Sequence, residues 1–161
     1  MEAGNDFGLV YTYLPAHVIL IRLVIAALFG AMIGFEREAT TAEAGLRTHI
    51  LIAVAAALFT ILAFEIFHTI EGGSSNADPI RAVEAVTAGI AFLGAGAIFR
   101  SGAGVQGLTT GAGMWLAGAV GIACALGHYV VSLFTTVLAV IVLALLRSFA
   151  HKIVRARGAR D

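Results

Sequence analysis

Arg22, Glu65 and Glu84 are ionisable residues set inside long apolar runs, and any chemistry in this chain starts with them. An ionisable group at the centre of a bilayer costs about 2.5–3.5 kcal/mol on insertion scales, so each needs a partner, and such groups mark ion or proton sites by default. By a helical rise of about 1.5 Å per residue, all three fall in the outer half of the membrane. Asp78 and Arg81 sit just beyond it. The expectation is an outer-leaflet polar network of Arg22, Glu65, Asp78, Arg81 and Glu84. Glu65, Glu71, Asp78 and Glu84 leave that side acidic against two arginines. Hard carboxylate oxygens suit Mg²⁺, but Arg22 and Arg81 compete with any cation. The plainer alternative is that Arg22 and a carboxylate pin helices together. Arg22 lies roughly 12 Å into its span, so it should pair with Glu65 or Glu84 or cap carbonyls of a neighbouring helix.

A second polar cluster is expected at the opposite ends of the same runs. Arg37, Arg47 and Arg100 fall at one level, with Glu36 and Glu38 as partners. Two helices are predicted to begin at Thr48 and Thr109, so two N-termini point to this side, and their free N–H groups and dipoles favour an anion. Thr48, Thr109 and Thr110 suit capping. Capping plus salt bridges is one reading; a docking surface for an anionic head group, a ligand or a partner loop is the other.

Other chemistries are not supported. Gly102 to Gly107 spells G-x-G-x-x-G, but no βαβ unit surrounds it, so it reads as a tight or re-entrant loop rather than a nucleotide cradle. His17, His49, His68 and His128 lie near span ends and His151 in the tail, at no metal-ligand spacing; they read as interfacial. Cys124 lies in an apolar run and cannot form an internal disulfide. Trp115 reads as a packing residue. No nucleophile–base arrangement appears, so no catalysis, cofactor or metal is expected. Net charge is zero, which gives no reason to expect nucleic acid.

The elements that must position these residues are membrane spans. Hydrophobic residues make up 60% of the 161-residue chain and charged residues 12%, against about 45–50% and about 25% in an average soluble domain. Mean hydropathy is +0.95. Five runs suit helices crossing a bilayer: 14–35, 49–67, 82–99, 108–126 and 129–146, each near the ~20 residues required. The expected fold is therefore all-α, a compact polytopic bundle of about five transmembrane helices. It divides into an extracytoplasmic segment 1–13, a membrane domain 14–146 and a basic tail 147–161. No Lys or Arg precedes the first run, so it is not expected to be a cleaved signal. Five spans put eight of the ten basic residues on one side. That side is cytoplasmic by the positive-inside rule, with the C-terminus inside and the N-terminus outside. The basic tail would also suit a helix lying on anionic lipid.

Small residues supply the packing surfaces. Gly30 and Gly34 form GxxxG, as do Gly107 and Gly111, and Gly89, Gly94, Gly96, Gly113, Gly118 and Gly121 extend the pattern. In lipid such faces let helix backbones approach closely, within the chain or across a homodimer. A weak repeat is also visible. Arg22 precedes Gly30 by the same interval that separates Arg81 from Gly89, and Gly45–Thr48 echoes Gly107–Thr110. Parallel repeats of transporters and chance likeness between Ala/Gly-rich helices both account for it.

Taken in order, Arg22, then Gly30–Glu38 (GAMIGFERE), Ala44–His49 (AGLRTH) and Ala55–Phe59 (AAALF) resemble the MgtC/SapB family of bacterial inner-membrane proteins. So do Asp78–Arg81 (DPIR), Gly89–Gly96 (GIAFLGAG), Val105–Thr110 (VQGLTT) and Trp115. The likeness runs from about Arg22 to Gly127. It departs at Ala85, Ala91 and Gln106, where the family usually carries Gln, Gly and a basic residue. Many members continue into a cytoplasmic regulatory domain, which is expected to be missing because the sequence ends shortly after Arg147. The resemblance implies a non-enzymatic inner-membrane protein serving growth under magnesium limitation, acid or intracellular stress. It also implies a membrane partner, the F-type ATP synthase being the one associated with the namesake. A small Mg²⁺ or other cation transporter or channel is the competing class.

Overall fold

The computed structural model describes residues 12–39, 43–70, 78–101 and 104–158. Side chains of Ile70, Arg100, Ser101 and 146–158 fall outside the described set. So do Glu71, the segment 1–11 with Glu2 and Asp6, Gly102 and Arg160.

Five helices lie among the described residues: α1 (Ala16–Glu38), α2 (Leu46–Ile70), α3 (Pro79–Gly96), α4 (Leu108–Ala125) and α5 (Tyr129–Gly158). The bundle is all-α but for a two-stranded antiparallel hairpin, β1 (Phe99–Ser101) and β2 (Gly104–Gln106), with Arg100 opposite Val105. Three helices are long and apolar enough to cross a membrane: α1, α2 over Leu46–Thr69, and α4. The apolar stretch described in α5, Tyr129–Leu145, is shorter, and α3 falls outside the set. Leu20, Leu28, Phe35, Leu51, Phe92 and Phe134 are among the large apolar side chains exposed on the outside. A protein whose solvent is lipid has no reason to hide them.

The helix boundaries correct the sequence reading in specific ways. Helix α3 begins at Pro79 rather than 82, because Asp78 caps it: its Oδ1 accepts from the Ile80 N–H at 2.9 Å, and proline occupies the first turn. This is the N-cap and N1 preference. The helix also ends three residues early, Phe99 lies in a strand, and Gly104–Gln106 of the G-x-G-x-x-G segment form the strand that pairs with it. Helix α2 begins at Leu46, which places Arg47 and Thr48 inside its first turn. Helix α4 is capped by Gly107 with φ +81° and no side-chain cap. Thr109 is exposed and Thr110 buried, so neither threonine caps α4. Helix α5 runs through the expected boundary at Arg147 to Gly158.

Helix α4 is the centre. Ten of its residues are buried, from Thr110 to Ala125, and six of them are glycine or alanine. A side chain at Gly121 would meet the backbone of Ala53 on α2, and one at Gly118 would meet Ile90 on α3. Helices α1 and α2 cross equally closely. A Cβ at Gly30 would lie 2.7 Å from the His49 carbonyl oxygen, and one at Gly34 2.8 Å from the Leu46 Cα. Gly94 and Gly111 face each other across α3 and α4. At Gly89 and Gly96 no described atom lies within 4 Å of an added Cβ, so neither packs against a described residue.

Candidate functional site: charged side chains at the helix ends

Each end of a helix leaves backbone groups without intrahelical partners, and in a bilayer water cannot serve them. This chain uses its charged side chains there. Both oxygens of Glu65, near the end of α2, accept backbone N–H bonds from the approach to α1: Tyr13 at 2.6 Å and Leu14 at 2.9 Å. Tyr13 also stacks on His68, with centroids 3.7 Å apart. Glu38, ending α1, accepts from the Leu46 N–H that starts α2 at 2.9 Å. Asp78 caps α3, with Arg81 Nε 3.9 Å from its other oxygen. Three carboxylates thus sit at three N-termini, the sign the helix dipole favours.

Arg22 completes the pattern with the opposite charge. Its Nη1 donates to the Ala125 carbonyl at the C-terminus of α4, and its guanidinium lies against Gly127. A cation at a helix C-terminus is the complementary arrangement. Of the partners expected for Arg22, the structure selects backbone carbonyls rather than Glu65 or Glu84. The outer network is therefore divided. Arg22 belongs to α1 and α4, Glu65 to α1 and α2, and Asp78 with Arg81 to the start of α3. Glu84 is exposed and has no partner among the described residues.

At the other end of the bundle a second group of polar residues gathers where α1, α2 and α4 meet. Arg37 Nη2 donates to Thr110 Oγ1 at 3.3 Å, and Thr110 donates to Glu43 at 3.2 Å. Glu36 is half-buried beside Arg37 in sequence, while Glu38, Glu43, Arg47 and Thr109 form an exposed rim. Arg100 is placed by its backbone in β1, and its side chain lies outside the described residues.

The residue at the heart of this cluster is His49, which sequence reasoning placed at the interface. It is fully buried. Its Nδ1 lies 2.8 Å from the Gly45 carbonyl oxygen, which can only accept, so Nδ1 carries the proton. Its Nε2 is buried without a hydrogen bond. The room for the ring comes from glycines on two helices: a Cβ at Gly34 would lie 3.0 Å from the His49 Cβ, and one at Gly113 3.1 Å from Nε2. The signal was present in the glycine spacing of α1, but the predicted start of α2 left His49 at the helix end, where water would reach it. Among the described residues no three His, Cys, Asp or Glu side chains gather to hold one metal ion.

The sequence matches the model of the MgtC family over residues 23–152. The chain belongs to the MgtC family. It is similar to Protein MgtC of Brucella abortus, 43% identical over 122 residues, which is 76% of this chain and 48% of the relative. It is also similar to Protein MgtC of Salmonella typhimurium, 37% identical over 134 residues, or 83% of this chain and 54% of the relative. The chain thus spans about half the length of these curated relatives. No solved structure matches it. The MgtC match contains every helix-end cap described above except Arg22, one residue before it, and all of α1 to α4 from Leu23 onward.

Proposed function

We infer that this MgtC-family membrane protein is not an enzyme and works by engaging a membrane partner, in bacterial adaptation to low magnesium, acid or intracellular stress. The observation that carries this reading is the use made of charge. Glu65, Glu38, Asp78 and Arg22 all serve helix ends, so most of the charged groups a transport path would draw on hold helices, with Glu84 left over. At the end of the bundle that holds Arg37 and Thr110, the exposed polar residues include the rim of Glu38, Glu43, Arg47 and Thr109. A partner with a mixed-charge loop at the membrane surface fits that rim. We place the chain in the inner membrane, with that rim and the C-terminus on the cytoplasmic side, an orientation that the distribution of Lys and Arg supports.

The family resemblance gives the F-type ATP synthase as the first partner to test. ATP-driven acidification of inverted membrane vesicles should slow when the chain is present, and recover with Arg47→Glu. Vesicles containing the purified chain should show no Mg²⁺ flux above empty vesicles. Robust flux abolished by Glu65→Gln or Glu84→Gln would replace this reading with that of a small cation transporter.

A further inference from the structure

Helix α3 carries a face that the described residues of the chain leave uncovered. It is held on one side through Ile90 and Gly94, the residues it buries. The opposite face presents Ala85, Ala88, Gly89, Phe92, Ala95 and Gly96, all exposed. Phe92 is 80% exposed. Beside this face, α2 and α3 diverge into an apolar groove. One section of about 550 Å³ is lined by residues such as Leu51, Ala55, Gly89 and Leu93. A second, of about 510 Å³, continues it through Phe59 and Ala85 to Phe67 and Pro79. From Leu51 to Phe67 the groove is about 24 Å long by helical rise, close to the length of one short transmembrane helix.

We propose that this face of α3 and the adjoining groove form a self-association site, occupied by the same surface of a second copy of the chain. Small residues on an exposed helix face let a second backbone approach closely. The charges select which backbone. Glu84 stands roughly 8 Å into α3 without a partner, a poor neighbour for lipid tails. Arg81, one turn earlier, has 81% of its side chain exposed and only a 3.9 Å approach to Asp78. A two-fold axis along the membrane normal keeps each residue at its own depth and makes contacts reciprocal. Arg81 of each copy then meets Glu84 of the other. Phe92 of the second copy arrives at the level of Gly89 and Leu93, where the groove is open. An acyl chain would fill the groove but would leave both charges unanswered.

The test uses the full chain in dilute vesicles of phosphatidylethanolamine and phosphatidylglycerol. Gly89→Cys should give an oxidative dimer at about ten times the yield of Leu28→Cys, a control on the exposed face of α1, and Glu84→Arg in the Gly89→Cys background should lower that yield about tenfold. Combining Glu84→Arg with Arg81→Glu should restore it, which separates charge pairing from damage to the fold. Equal yields at positions 89 and 28 would mean that lipid covers the groove and would overturn the proposal. Failure of the double reversal to restore dimer, with the monomer still folded by circular dichroism, would overturn it as well.

Discussion

Helices α1, α2 and α4 and helix α3 are built from the same residue types and packed to opposite ends. In the first group the glycines meet close neighbours: Gly30 and Gly34 against α2, Gly111 against Gly94 and Gly121 against Ala53 on backbone, Gly113 and Gly118 against the side chains of His49 and Ile90. In α3, Gly89 and Gly96 meet nothing described. The same contrast holds for charge. Glu65, Glu38 and Arg22 reach across to another helix, whereas Glu84 reaches none. In lipid there is no hydrophobic drive between helices, so association rests on close backbone approach and on polar groups that satisfy one another. Where both are present the chain closes on itself; where both are displayed but unused, a surface is left over.

The largest effect expected on the core side comes from His49. His49→Ala should lower stability by about 3 kcal/mol, because it opens a cavity at the three-helix junction and strips the Gly45 carbonyl of a donor. Reversible unfolding in mixed micelles measures this. His49→Phe should cost less, since the ring is refilled and the unbonded Nε2 is removed with the hydrogen bond. Arg22→Ala should follow at about 2 kcal/mol, the range for a hydrogen bond to a charged group, by freeing the C-terminus of α4. Removing Glu65 as well should bring no recovery, because the two do not share a partner. Glu65→Gln should cost about 1 kcal/mol, since a neutral amide still accepts one of the two N–H bonds. Glu84→Gln should leave the unfolding of the monomer unchanged. A loss at Glu84 as large as that at Arg22 would erase the difference between the two regions.

The hydrophobic runs made five helices legible, because a bilayer leaves an apolar segment of this length few alternatives. Helical rise also put Arg22, Glu65 and Glu84 at related depths. It carried no information on azimuth, so residues at one level were read as neighbours when they face different helices. The hairpin was hidden because Ala91–Phe99 is continuously apolar, and only Gly107 at φ +81° betrays the turn into α4. The start of α3 was legible in Asp78-Pro79, a cap followed by a helix-starting proline, but hydropathy outweighed it. The burial of His49 required knowing that glycines of α1 and α4 converge on one ring, a fact of tertiary structure. The proposed repeat fares similarly. Arg22 caps α4 while Arg81 stays exposed, and Gly30 is packed while Gly89 is open, so the residues that suggested the repeat do different work.

The contrast between core and α3 is tested most directly by one side chain placed in each. Gly34→Leu and Gly89→Leu add the same atoms to the same kind of helix. Unfolding of the two variants, measured in parallel in the same micelles at a concentration where the chain is monomeric, isolates the environment. Gly34→Leu should lose about 2–3 kcal/mol, because its Cβ would lie 2.8 Å from the Leu46 Cα and the backbone must separate. Gly89→Leu should unfold like the parent. Equal losses in the two would contradict the account, by placing α3 inside a packed core.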